Sequence, residues 1–146
     1  MAKIDFASAI HSKSFYCSGN TDVSTTSASY VDMPDMSLTF SLDKKSTCII
    51  VAKIGRATQD SLGWPWGRIY VRLLIDNVEE DISMYSTSAG TYITAAAHVT
   101  IVLSKAKELS AGSHTVKVQW NAGAAGTAYS YGTGLRSISI LVVPRR

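Results

Sequence analysis

The chain is 146 residues and 15.7 kDa long, with a net charge of +3 from 14 Lys and Arg against 11 Asp and Glu. A chain of that length buries about two-thirds of its unfolded surface in one core without metal or disulfide staples. Its 46% hydrophobic and 17% charged residues exclude a disordered chain, and basic residues scattered outside Lys44-Lys45 and Arg145-Arg146 exclude the basic stripe of a nucleic-acid binder.

Met1 to Ile10 has no apolar signal core, and no stretch approaches the roughly 18 consecutive apolar residues of a membrane span, so a soluble chain is expected. Residues 17–35 are rich in Ser, Thr, Asn and Asp; Ser29-Tyr30-Val31 reads as a short edge strand ending at the Met33-Pro34-Asp35 turn. Met36 to Leu42 alternates with period two, which puts Met36, Leu38, Phe40 and Leu42 on one face. Asp43 to Ser46 is a polar turn into the β-branched run Thr47 to Ile54, and the two runs read together as a hairpin.

After a loop from Gly55 to Gly67, Arg68 to Asp76 alternates Ile69, Val71 and Leu73 against Arg68, Tyr70 and Arg72. Asp76-Asn77 predicts a tight turn into Val78 to Ile82, whose Glu79-Glu80-Asp81 suits an exposed edge strand. Tyr92 to Ala95 and His98 to Leu103 are further strand candidates, and Ser104 to Leu109 has too few apolar positions for a packed helix, so it reads as loop or one helical turn. Ala111-Gly112 turns the chain into His114 to Trp120, with Val116, Val118 and Trp120 on the face of His114. The loop Asn121 to Gly134 is rich in small residues but holds Tyr129 and Tyr131, and Ser137 to Val143 closes the sheet. Eight to ten short strands without alternating helices predict an all-β antiparallel β-sandwich of jelly-roll type. It spans 1–146 as one domain, with 1–27 an N-terminal arm or edge strand.

The run Tyr30-Val-Asp-Met-Pro-Asp-Met-Ser-Leu-Thr-Phe, the mid-chain Val-Arg-Leu-Leu-Ile-Asp, the Leu109 to Trp120 turn and strand, and the terminal Leu-Arg-Ser-Ile-Ser-Ile-Leu-Val-Val-Pro carry a resemblance over residues 28–144. They resemble jelly-roll structural proteins of phages and archaeal viruses, of the head-decoration or tail-fibre-tip type, similar in architecture to trimeric tumour-necrosis-factor-like heads. The resemblance implies a homotrimer in a virion or an extracellular appendage, bound to a capsid or tail protein or to a host-surface receptor. It implies no active site to carry over. The chain lacks the coiled-coil or collagen-like stalk of a fibre, which favours a decoration or accessory protein.

Candidate chemistry is sparse. His11, His98 and His114 fit no metal-ligand spacing, Glu79-Glu80-Asp81 lacks the Asp-x-Asp-x-Asp-Gly pattern of a calcium loop, and no Walker-type glycine loop occurs. No nucleophile constellation stands out, so the expectation is a non-enzyme without metal or cofactor. Cys17 and Cys48 permit one disulfide, but two free buried thiols are the favoured reading. Leu62-Gly-Trp-Pro-Trp-Gly67 places Trp64 and Trp66 on a Pro-stiffened loop, where flat faces pack on a neighbouring subunit, dock a protein or stack on a glycan. Trp64, Trp66, Tyr70, Tyr129 and Tyr131 are the candidate binding or interface residues. Two functions follow: a self-associating virion structural protein, and a carbohydrate- or receptor-binding module using loop aromatics.

Overall fold

Ten β-strands carry the fold of the computed structural model, which describes residues 13–60, 67–87, 98–123, 126–132 and 135–144. They are β1 (Lys13–Gly19), β2 (Val23–Thr25), β3 (Val31–Leu42), β4 (Ser46–Asp60), β5 (Gly67–Ile75), β6 (Val78–Thr87), β7 (Val99–Leu109), β8 (Gly112–Asn121), β9 (Thr127–Ser130) and β10 (Arg136–Pro144). All pairings are antiparallel and divide into two sheets. Sheet I runs β1-β10-β4 and continues through β9 to β2, with β7 on the other edge of β4; sheet II runs β3-β8-β5-β6.

Registers reduce ten strands to eight. Both β10 and β9 pair with β4, the first over Ser46 to Ile54 and the second over Ala57 to Asp60, so they form one interrupted strand. Opposite them, β1 pairs with β10 and β2 with β9, which makes a second interrupted strand. The result is a four-on-four antiparallel sandwich of jelly-roll type, as the sequence predicts.

Period-two alternation builds the core between the sheets. Cys48, Ile50, Ala52 and Ile54 of β4, with Ile138, Ile140 and Val142 of β10, face Met36, Phe40 and Leu42 of β3, Ile69, Val71 and Leu73 of β5, and Val116, Val118 and Trp120 of β8. The Phe15 and Phe40 rings meet at 5.1 Å across the two sheets.

Several expectations need correction. The runs 36–42 and 47–54 are no hairpin: β3 lies in sheet II and β4 in sheet I, so the Asp43 turn crosses the sandwich. Tyr30 stays outside the strand, and β3 passes through Met33-Pro34-Asp35 as a bulge with Asp35 at φ 62°. The loop expected from Gly55 is strand to Asp60, because Gly55-Arg56 is a bulge with Arg56 at φ 47°. Ser104 to Leu109 is neither loop nor helical turn but the second half of β7: Lys105 and Lys107 extend its inward face to the sandwich rim, where Glu80 pairs with both. The loop 121–134 contains β9, and the polar stretch 17–35 contains part of β1 and β2. The turn at Asp76-Asn77 is as expected, with φ of 52° and 65°. Tyr92 to Ala95 lies outside the described residues.

Candidate functional site

The outer face of sheet I carries a cluster of exposed apolar side chains, interleaved with serines, that no described part of the molecule covers. Odd-numbered β4 and β10 residues and even-numbered β1 and β7 residues point away from the core, in rows set by register: Tyr16-Ser139-Val51-Ser104 and Ser14-Leu141-Ile49-Ala106. Flanking rows add Val143 and Val102; Tyr16 is 60% exposed and Val102 56%. Lys53 is the one charge within these rows, and Glu108, paired with Lys45, lies at the rim. Four strands at about 4.8 Å spacing and seven residues at about 3.3 Å rise make roughly 450 Å². In the β-branched run 47–54, Ile49 and Val51 are exposed. The signal was legible as apolar residues at both parities, a pattern that reads equally as a strand buried on two sides.

The outer face of sheet II is the opposite in character. Arg72 donates through Nε and Nη2 to Gln119 Oε1 (2.9 and 2.6 Å) and through Nη1 to Glu79 (3.1 Å), and its guanidinium lies 4.1 Å over the Tyr30 ring. Gln119 Nε2 donates to Asp32, which also meets Lys117 at 3.4 Å. Thr39 and Thr115 bond at 3.0 Å across β3 and β8. Over β3, β8 and β5 this face is polar and cross-linked, while at β6 it leaves Ile82 and Met84 exposed.

The sequence-predicted aromatics do not form one site. Trp64 and Trp66 lie outside the described residues. Tyr70 is on the outer face of sheet II, where its hydroxyl accepts from Arg68 Nη1 at 3.3 Å. Tyr129 and Tyr131 belong to sheet I and its continuation; their rings stack 5.9 Å apart at 4°. The His98 ring meets Tyr131 edge-on at 5.3 Å and the Arg56 guanidinium lies 5.9 Å from its centroid. His98 and Arg56 were not singled out as partners of these tyrosines; the Gly55-Arg56 bulge delivers Arg56 and the start of β7 delivers His98.

His114 joins two turns at one end of the sandwich. Nδ1 lies 2.8 Å from Asp76 Oδ2 and Nε2 lies 2.9 Å from the Ser110 carbonyl, so both ring nitrogens face acceptors and only the imidazolium satisfies both. Asp76 Oδ1 also accepts from the Thr115 N–H. Burial and Lys107 oppose the charge, but the bonds to Asp76 and Ser110 outweigh them and hold His114 above its ordinary 6.5. Burial likewise pushes Asp76 up, and the bonds from His114 and Thr115 override it, leaving Asp76 below 3.8. Because the folded pKa of His114 is raised, its contribution is complete below about pH 6.5 and is lost as pH rises through the raised value. That of Asp76 is lost as pH falls through its lowered value. His114→Gln is therefore expected to lower the melting temperature by several degrees near pH 5.5, for about 1–2 kcal/mol, and by much less at pH 9. A melting-temperature difference that is equal at both pH values would rule out the charged clasp.

Cys17 and Cys48 are free; burial raises both thiols, which keeps them protonated and unreactive. Among the described residues no group of three or more His, Cys, Asp or Glu is placed to hold a metal ion, and no helix is long and apolar enough to cross a membrane.

Comparison with known proteins gives fold alone. No family model matches the chain, and no curated protein matches it. Among solved structures it is similar to the Eiger TNF of S. frugiperda, with a TM-score of 0.53 at 12% identity over 91% of this chain and 93% of that one. It is also similar to part of dimeric latent PorU from Porphyromonas gingivalis, with a TM-score of 0.52 at 8% identity over 92% of this chain and 13% of that one. A weaker likeness, TM-score 0.41 at 8% identity, is to infectious bursal disease virus Gx strain, of which 33% is covered. With sheets ordered β1/β2-β10/β9-β4-β7 and β3-β8-β5-β6, the chain has an antiparallel jelly-roll fold similar to that of the Eiger TNF.

Proposed function

We propose that this chain is a non-enzymatic virion structural protein that self-associates as a homotrimer through the outer face of sheet I and decorates a capsid or forms part of a tail or fibre. The observation that carries self-association is the contrast between the two faces. Sheet II covers its outer surface with a bonded network of Asp32, Gln119, Arg72 and Glu79, while sheet I presents Tyr16, Ile49, Val51, Val102, Leu141 and Val143. Water contact with these clustered apolar side chains is costly, and such a cluster within a footprint of about 450 Å² suits the centre of an interface. A stable interface takes about 800 Å² per partner, so the apolar rows form its centre and Tyr129, Tyr131 and neighbouring loops its rim. The trimer and the virion role are supported by the resemblance of residues 28–144.

Native mass spectrometry of the full chain at about 20 µM tests this. The expected species is a trimer, and Val51→Lys with Leu141→Lys should give a monomer with an unchanged circular dichroism spectrum, because each lysine head would be buried unpaired in the interface. A monomeric wild type sinks the self-association reading, and a dimer sinks the trimer.

One observation favours the alternative, a carbohydrate- or receptor-binding module: the stacked Tyr129 and Tyr131 flanked by His98 and Arg56. A glycan array that stays silent for wild type removes its carbohydrate form.

A further inference from the structure

A sandwich has four exposed strand edges, each a row of unpaired backbone groups that needs protection against pairing with foreign strands. Three of them are protected here. The β1–β2 edge is broken between Gly19 and Val23, and the β3 edge carries Pro34 and the 33–36 bulge. The β7 edge has its Ser104 N–H taken by Asp81 Oδ2 at 2.9 Å, and its Lys105 and Lys107 paired with Glu80. The first half of β6 carries the irregularity at Leu73/Leu74 and the acids Glu79, Glu80 and Asp81. The second half, Ile82 to Thr87, has no charge, no proline and no bulge; of its backbone groups the Ile82 N–H is taken by Asp81 Oδ1 at 2.9 Å, which leaves Ser83 to Thr87 as the open stretch among the described residues. No backbone hydrogen bond from its free side is present among the described residues.

The side chains beside this half-edge have the composition of a binding site. On the outer face Ile82 and Met84 are each 53% exposed, in register with Arg72 and Tyr70, and Arg68 stands opposite Ser86. Arg72 is neutralised by Glu79 and stacked on Tyr30. Arg68 is exposed, and its bond to the Tyr70 hydroxyl leaves its charge without a carboxylate among the described residues. Tyr, Arg and Met are the residues enriched where proteins dock, and a guanidinium without a counter-ion selects a carboxylate.

The geometry points to the Ile82 to Thr87 edge of β6 as a docking site for an extended acidic segment of a second protein. The segment adds as a fifth strand to sheet II, its backbone pairing with the free edge, one apolar side chain covering Ile82 and Met84, and a carboxylate reaching Arg68. The acids at 79–81 repel an acidic strand that slides the other way, which sets the register. The site is on the sheet opposite the proposed self-association face, so it stands whether the chain is a trimer or not.

The test is a titration of the 15N-labelled full chain with the peptide acetyl-Thr-Val-Glu-Val-Glu-Val-Thr-amide, followed by amide shifts and by hydrogen exchange. The expected result is shifts and slowed exchange at Ile82 to Thr87 and shifts at Arg68. The affinity should be about millimolar to high micromolar, as suits a short flexible ligand. Arg68→Glu, an exposed substitution that leaves the core intact, should weaken binding about tenfold or more, as should replacing both Glu of the peptide by Lys. No shift at β6 with several millimolar peptide overturns the proposal, and so does equal binding of the Lys peptide or a response at β1 or β7. Broadening of the β6 amides with protein concentration alone, before peptide is added, would mean that a second copy occupies the edge and would overturn it too.

Discussion

Replacing Arg136 with alanine is expected to cost about 3–5 kcal/mol, a large share of the roughly 5–15 kcal/mol that holds a domain of this size folded. Arg136 is fully buried at the level where β1 passes into β2, β9 into β10, and where β3 and β4 bulge. Nη1 donates to the carbonyls of Thr21 (2.7 Å) and Ser130 (3.3 Å), and Nη2 donates to Asp35 Oδ2 at 3.2 Å. These acceptors belong to three different breaks, so one guanidinium closes the gaps that interrupted ladders leave. Losing it leaves the Thr21 and Ser130 carbonyls without this donor and a cavity the length of the side chain. Nε is buried without a partner among the described residues, a cost that the wild type already bears. Arg136→Met, which keeps most of the stem, should therefore cost less than alanine but still more than about 2 kcal/mol. Asp35→Asn should cost about 1 kcal/mol or less, since Asp35 is half exposed. Urea unfolding of the three variants separates them. Arg136→Met within about 0.5 kcal/mol of wild type would show that the breaks hold without the guanidinium.

Gly132→Ala is expected to be comparably severe for a steric reason. A Cβ on Gly132 would stand 2.0 Å from the Asn20 carbonyl oxygen and 2.5 Å from its carbon, both backbone atoms that no rotamer change can move. Relief needs the β9–β10 connection and the β1–β2 connection to part by more than 1 Å, since ordinary carbon–oxygen contact lies near 3.4 Å. That would stretch the Gly132 N–H bond to Asp22 (2.7 Å) and the Arg136 bonds around it. The cost should be about 3 kcal/mol or more, beyond usual overpacking because backbone must shift. Gly112→Ala is the control: φ is 128° there but nothing lies within 4 Å of the added carbon, so only the backbone strain of about 1–2 kcal/mol applies. Equal losses for the two variants would refute the steric account, and a folded Gly132→Ala with wild-type stability would show that the two connections separate freely.

Where local alternation was clean, the strands were legible residue by residue. Ile69, Val71 and Leu73 point inward and Arg68, Tyr70 and Arg72 outward, and Val116, Val118 and Trp120 share the core face with His114, as their spacing predicts. The misreadings fall where a local signal has two structural outcomes. A polar turn such as Asp43-Lys44-Lys45 closes a hairpin within a sheet as well as it crosses between sheets. Glycine followed by arginine at 55–56 ends a strand as well as it bulges one. Lys105 and Lys107 look like loop charges because Glu80, their counter-ion, is 25 and 27 residues away in sequence. The candidate interaction surfaces were half visible: Tyr70, Tyr129 and Tyr131 stood out as isolated aromatics, while the exposed apolar cluster of sheet I lies in runs such as Thr47 to Ile54 that are apolar at both parities.

The sequence by itself determined the class of the fold and, where alternation is clean, which residues of a strand share a face, because side-chain alternation and turn chemistry are properties of neighbouring residues. Only the tertiary structure decided that Ile49, Val51, Leu141 and Val143 face outward, that Arg136 ties three strand breaks together, and that the second half of β6 has no strand paired on its outer side among the described residues. Each of these depends on which strand lies beside or across from another. That is settled by burial summed over the whole sandwich and by contacts between residues up to 129 positions apart, Lys13 and Val142, which no local pattern contains.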